Sequence, residues 1–123
     1  MLAVGEHLWG SVDDRILRMS SCLAGGLGCG YQELCGALSG GSLLIGGLHG
    51  RTAPDEDDEE CNHRVSRYRE VFHERFGTTQ CQAIRDSGYG SNEEMPCSRL
   101  VEQAVGLLLE VLDEPWPVDA PQR

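Results

Sequence analysis

The chain is expected to be all-α: a small helical bundle of about five to six helices built around a glycine-rich central helix. Apolar residues recur at helical spacing in several separate stretches. No stretch alternates β-branched and polar residues with the period of two that a half-buried strand shows. Glycines and prolines fall between the periodic stretches, where they end one helix and allow the next to turn away. At 123 residues the chain can bury a core without disulfides, so a single domain over residues 1–114 is expected, with a mobile tail over 115–123.

Residues 2–9 read as a helix already in progress, since Leu2, Ala3, Val4, Leu8 and Trp9 are apolar and nothing caps the start. Gly10-Ser11 breaks it. Ser11 is placed to N-cap a second helix with Asp13 and Asp14 in its first turn, where the helix dipole favours acids. Val12, Ile16, Met19 and Leu23 then follow the spacing of one helical face. Gly25 to Gly30 ends this helix. It lacks the G-x-G-x-x-G spacing, with Tyr31 where the third glycine belongs, and no strand precedes it, so a close-packed turn explains it better than a phosphate loop.

The third helix, predicted from about Tyr31 to Leu48, carries Cys35-Gly36-Ala37-Leu38-Ser39-Gly40. Gly36 and Gly40, like Ala37 and Gly41, are four residues apart, so one helix face is nearly bare backbone that another helix or a cofactor can approach. Gly46 and Gly47 extend that face. Each glycine inside a helix costs about 1 kcal/mol relative to alanine, which implies that something comes close. A tight helix crossing with an inert buried cysteine accounts for the same pattern.

The acidic run Asp55 to Glu60 reads as the solvated N-terminus of a fourth helix, its carboxylates set against the dipole, rather than a cation site. Cys61, Val65, Tyr68, Phe72 and Phe76 form the apolar stripe of that helix, with Arg64, Arg67, Arg69, Glu70 and Glu74 mostly off it and Gly77 as its stop. Cys61 therefore reads as a packing residue, and His63 and His73 as surface histidines. Thr78 and Thr79 can cap a short helix from Cys81 to about Asp86. Cys81 falls in its first turn, where the dipole lowers a thiol pKa. Pro96-Cys97-Ser98 opens the last helix, whose apolar face is Leu100, Val101, Ala104, Leu107, Leu108, Val111 and Leu112; Pro115 and Pro117 stop it.

Ten arginines, no lysine and twenty acids give a formal charge of -10, which disfavours nucleic acid or an anionic membrane surface as partner. No run approaches the length of a membrane span and no signal peptide is visible at the start, so a cytoplasmic location is expected. Six cysteines in that compartment point to redox or metal chemistry rather than structural bridges. Cys35, Cys81 and Cys97 share a position that Cys61 does not: each lies near a helix start beside Gly, Thr or Pro. There is no C-x-x-C pair, so neither a zinc ribbon nor thioredoxin-like chemistry is indicated. A dithiol/disulfide couple or a thiolate-ligated cluster, assembled in space, remains.

Gly25-Gly26, the CGALSG segment from Cys35 to Gly40, Arg75-Phe76-Gly77 leading to Cys81, and Pro96-Cys97 with Leu100-Val101 together resemble the C-GCAxxG-C-C family of putative redox-active proteins. The resemblance covers about residues 12–112. It implies a small helical protein with four characteristic cysteines, a redox role without a settled substrate, and iron–sulfur binding as an alternative. Cys35, Cys81 and Cys97 match three of those cysteines. The fourth lies upstream in the family, on a helix inside which this chain already begins at Met1, so a truncated N-terminus is expected; Cys22 and Cys29 are poor substitutes.

Three functions follow as expectations. The first is a thiol redox protein in which two of Cys35, Cys81 and Cys97 cycle to a disulfide, which asks for Cα atoms within about 7 Å. The second is an electron-transfer or sensor module with an iron–sulfur cluster on those same cysteines as metal ligands. The third is a non-catalytic helical interaction protein. The bare face at Gly36 and Gly40 is the candidate cofactor-binding surface. A homodimer is expected, on general grounds and because that face exceeds what one small bundle covers. The electron donor or acceptor is not named by the sequence.

Overall fold

The structure, a computed structural model, describes residues 2–117. Six helices follow in order: α1 (Leu2–Trp9), α2 (Asp14–Ser21), α3 (Gly36–His49), α4 (Glu59–Phe76), α5 (Cys81–Asp86) and α6 (Cys97–Asp113). Among the described residues there is no strand, only an isolated antiparallel bridge between Leu34 and Gln80. The fold is all-α, as the periodicity predicts.

Helices α3, α4 and α6 pack pairwise and enclose the core. Leu44 and Ile45 of α3, Tyr68 and Phe72 of α4, and Leu100, Leu108 and Val111 of α6 are fully buried. Their three- and four-residue spacing turns them to one side of each helix, which is why the stripes read from sequence become the interior. The Tyr68 hydroxyl donates between the carbonyls of Ala37 on α3 (3.2 Å) and Ala104 on α6 (3.3 Å), joining all three helices. Its ring lies against Gly41, where a Cβ would stand 2.5 Å from Tyr68 Cε1. Leu23 and Ala24 press their backbone on Gly36, where a Cβ would stand 2.9 Å from the Leu23 oxygen. Trp9 covers Gly47, whereas Gly46 faces open space. Much of the bare face is thus occupied within one chain, and the homodimer expectation draws no support from it.

Three features differ from the sequence reading. The second helix is capped by Asp13, whose side chain accepts from the Arg15 amide at 2.8 Å, and not by Ser11. It stops at Ser21 and buries none of its residues, leaving Met19 65 % exposed. The central helix begins at Gly36 and not at Tyr31. Residues 25–29 run through positive φ, from 60° at Gly25 to 57° at Cys29, a left-handed turn that reverses the chain. The backbone after it is then used in pairing with residues 79–82: Cys35 donates to the Thr79 carbonyl, Cys81 to that of Glu33 and Gln82 to that of Tyr31, each at 2.9 Å. Groups committed to those partners cannot close a helical turn.

The third difference is Arg64. Expected off the apolar stripe, it is 7 % exposed. Its guanidinium donates to the carbonyls of Val111 (2.8 Å), Leu112 (3.3 Å) and Glu114 (3.1 Å) and pairs with Glu60 at 2.8 Å. It therefore adds donors to the carbonyls at the end of α6, where a cation also suits the dipole. The acidic run serves the start of α4 as expected, with Asp58 at the N-cap and paired with Arg51, and Glu60 3.3 Å from His49 Nδ1. At the far end Trp116 rests on His63, ring centroids 5.1 Å apart; residues 118–123 of the expected tail lie outside the described residues. No helix among the described residues is long and apolar enough to cross a membrane.

Candidate functional site

The Leu34–Gln80 bridge sets the site. Successive residues of extended chain point to opposite sides. Leu34, 47 % exposed, and Gln80 face solvent, while their neighbours Cys35 and Cys81 turn inward together. Cys35 occupies the N-cap of α3 and Cys81 is the first residue of α5. Cys97, the first residue of α6, arrives from the other side behind Pro96. The three sulfur-bearing residues that the sequence singled out line one cavity of about 310 Å³, with Gly36 and Gly40 in its wall.

All six cysteines are free thiols. Cys81 is buried, Cys35 half-buried and Cys97 exposed at the mouth. Gly26, at φ +68°, lets the left-handed turn lie flat on Cys81: a Cβ there would stand 2.6 Å from the Cys81 Cβ. Gly90, at φ +71°, does the same for Cys97, since a Cβ there would collide with its sulfur. That same point lies 3.2 Å from Arg85 Nη1. Cys97 and Arg85 thus meet over Gly90, whose carbonyl takes a 3.1 Å hydrogen bond from the guanidinium. The tyrosine that follows the turn, Tyr31, stacks on Arg85 with the guanidinium carbon 4.2 Å from the ring centroid.

Electrostatics separate the thiols. Burial pushes the Cys35 thiol above its ordinary value, the Ala37 and Leu38 amides pull against that, and the charge of a Cys97 thiolate adds to the rise. Burial also raises Cys81, helped by the charges of Cys35 and Cys97 and opposed by Arg85. The expectation that the helix dipole would make Cys81 a ready thiolate is therefore corrected. Its six-residue helix is short and its sulfur is removed from water, so desolvation wins. Cys29 in the left-handed turn stands near enough for its charge to raise Cys81 as well, whereas Cys22 caps α2 and donates to the Met19 carbonyl.

Arg85 was missed by the sequence reading, although a signal was present. It lies four residues after Cys81 on a short helix, the spacing that puts two side chains on one face. Cys61, by contrast, packs against the core as read. Among the described residues no group of three or more His, Cys, Asp and Glu stands together so as to hold a metal ion. Three cysteines line the cavity, one short of the four thiolates that hold a [4Fe–4S] cluster.

A sequence profile described as "Putative redox-active protein (C_GCAxxG_C_C)" matches residues 1–111. The chain belongs to this family. No curated protein and no solved structure matches it. The match spans all six cysteines, and the shared cavity gathers three of them, Cys35, Cys81 and Cys97.

Proposed function

We propose that this family member is a thiol-based redox protein in which two of Cys35, Cys81 and Cys97 interconvert between dithiol and disulfide. The observation that carries the proposal is the convergence of these three cysteines, from three different helix starts, on one cavity. Oxidation forms one S–S bond and releases two protons and two electrons to a two-electron acceptor. Cys97, exposed at the mouth, is the thiol that meets the partner. Cys35 and Cys81, neutral behind it, supply the second sulfur. Diagonal residues across an antiparallel pair stand about 7–8 Å apart, slightly beyond the span of a disulfide. Closing a Cys35–Cys81 bond therefore asks for a small shift at the Leu34–Gln80 bridge.

The test is oxidation of the reduced chain with diamide, followed by disulfide mapping of its peptides. A bond within the set Cys35, Cys81 and Cys97 is expected, lost when its members are replaced by serine and unaffected by Cys22→Ser. Oxidation confined to Cys22 and Cys29, with the three cavity thiols still free, would overturn the proposal. It would favour a helical protein whose cavity cysteines only pack.

A further inference from the structure

We infer that the small-molecule partner of this cavity is an organic anion, a carboxylate-bearing thiol or disulfide, recognised by Arg85; this rests on the redox reading above. Among the described residues that line the cavity, Arg85 is the one charged side chain, set among small and apolar neighbours such as Ala37, Ile84, Leu100 and Val101. At about 310 Å³ the space suits a small molecule.

Arg85 is held in place for this. Tyr31 supports one face of the guanidinium, and Gly90 accepts from Nη1. No carboxylate of the protein forms an ion pair with it among the described residues, in a chain with twenty acids and a net charge of -10. Elsewhere Arg51, Arg64 and Arg67 each take acidic partners. A guanidinium fixed by a ring and a carbonyl, beside an exposed sulfur, keeps donors for an incoming carboxylate. Against the acidic surface it also marks where such an anion is tolerated.

In the exchange that follows, the Cys97 thiolate attacks one sulfur of the bound disulfide. The ligand S–S bond breaks, half of the ligand leaves as a thiolate, and a mixed disulfide remains. Cys35 or Cys81 then gives up its proton and attacks the Cys97 sulfur, releasing the second half as a thiolate. The two protons of the protein thiols pass to the two ligand thiolates, which balances the reaction.

The test compares two alkylating probes that differ in charge, iodoacetate and iodoacetamide, on the full chain, with peptide-resolved rates. The iodoacetate/iodoacetamide rate ratio at Cys97 is expected to exceed that at the exposed reference Cys22 by about fivefold, the size of effect one partly exposed charge pair gives. Arg85→Gln should remove the excess and Arg85→Lys should keep most of it, while the ratio at Cys22 stays unchanged in both. Equal ratios at Cys97 and Cys22, or an excess that survives Arg85→Gln, would overturn the inference. A second arm uses 3,3′-dithiodipropionate against the neutral bis(2-hydroxyethyl) disulfide. Faster oxidation by the dicarboxylate supports the inference. If the alkylation excess is present but neither disulfide oxidises the cavity, the redox reading fails and an anion site alone remains.

Discussion

Cys35 and Cys81 illustrate how one residue's surroundings override its local sequence. Both lie at a helix start, the position that ordinarily favours a thiolate, and both are pushed toward the neutral thiol because burial is the larger effect. A folded pKa above the unfolded value means that the unfolded chain loses its proton first as the pH rises. Stability from these buried thiols is therefore complete below the ordinary cysteine pKa and is lost as the pH climbs through the raised one. The melting temperature is expected to fall as the pH rises through and above the ordinary cysteine range, and the fall should flatten in a Cys35→Ala, Cys81→Ala double variant. Differential scanning fluorimetry across that range checks it; an equally steep fall in both proteins would show that these thiols stay solvated. Tyr68, pushed upward by burial with a smaller push from the Cys35 charge, keeps its proton throughout and holds its two carbonyls.

At the scale of the elements, the end of α6 depends on α4. Pro115 and Pro117 stop the last helix but bring no donors for its last carbonyls. Arg64 brings them from across the interface, and Arg67 adds a 3.1 Å pair with Glu114. Replacing Arg64 by Met keeps the volume but takes the guanidinium donors from the carbonyls of Val111, Leu112 and Glu114, of which Val111 keeps only a 3.3 Å bond from the Glu114 amide, so a loss of about 1–3 kcal/mol in urea unfolding is expected, with Arg64→Lys in between. Unchanged stability of Arg64→Met would mean that water satisfies those carbonyls. Helix α2 shows the opposite case. Ile16 and Met19 stay exposed, and its role is to deliver Leu23 and Ala24 to the wall of the cavity. The left-handed turn after it then brings Gly26 onto Cys81.

Across the whole molecule, twenty acids against ten arginines leave strong self-repulsion, relieved locally where Glu60 and Asp58 find partners. The melting temperature at neutral pH is expected to rise between about 0.02 M and about 0.2 M sodium chloride, because salt screens net repulsion spread over the surface more than it weakens the partly buried Arg64–Glu60 pair. Thermal scans in the two salts decide it. A fall would show that the ion pairs outweigh the net charge.

The chain's own residues determined the all-α class, the stripes on α4 and α6, and the three cysteines that belong together. Those features follow from local spacing, and a helix face is the same set of residues whatever it packs against. The glycine positions announced close approach, yet only the assembled chain decided what approaches: Tyr68 at Gly41, the Leu23–Ala24 backbone at Gly36, Trp9 at Gly47. The start of α3 was hidden because residues 31–35 pair with residues 79–82, far along the chain. Arg64 looked like a surface charge because its carbonyl partners sit at the end of another helix. The balance between dipole and burial at Cys81, and the meeting of Arg85 with Cys97 over Gly90, belong to the tertiary structure alone, since desolvation and charge act through space between groups distant in sequence.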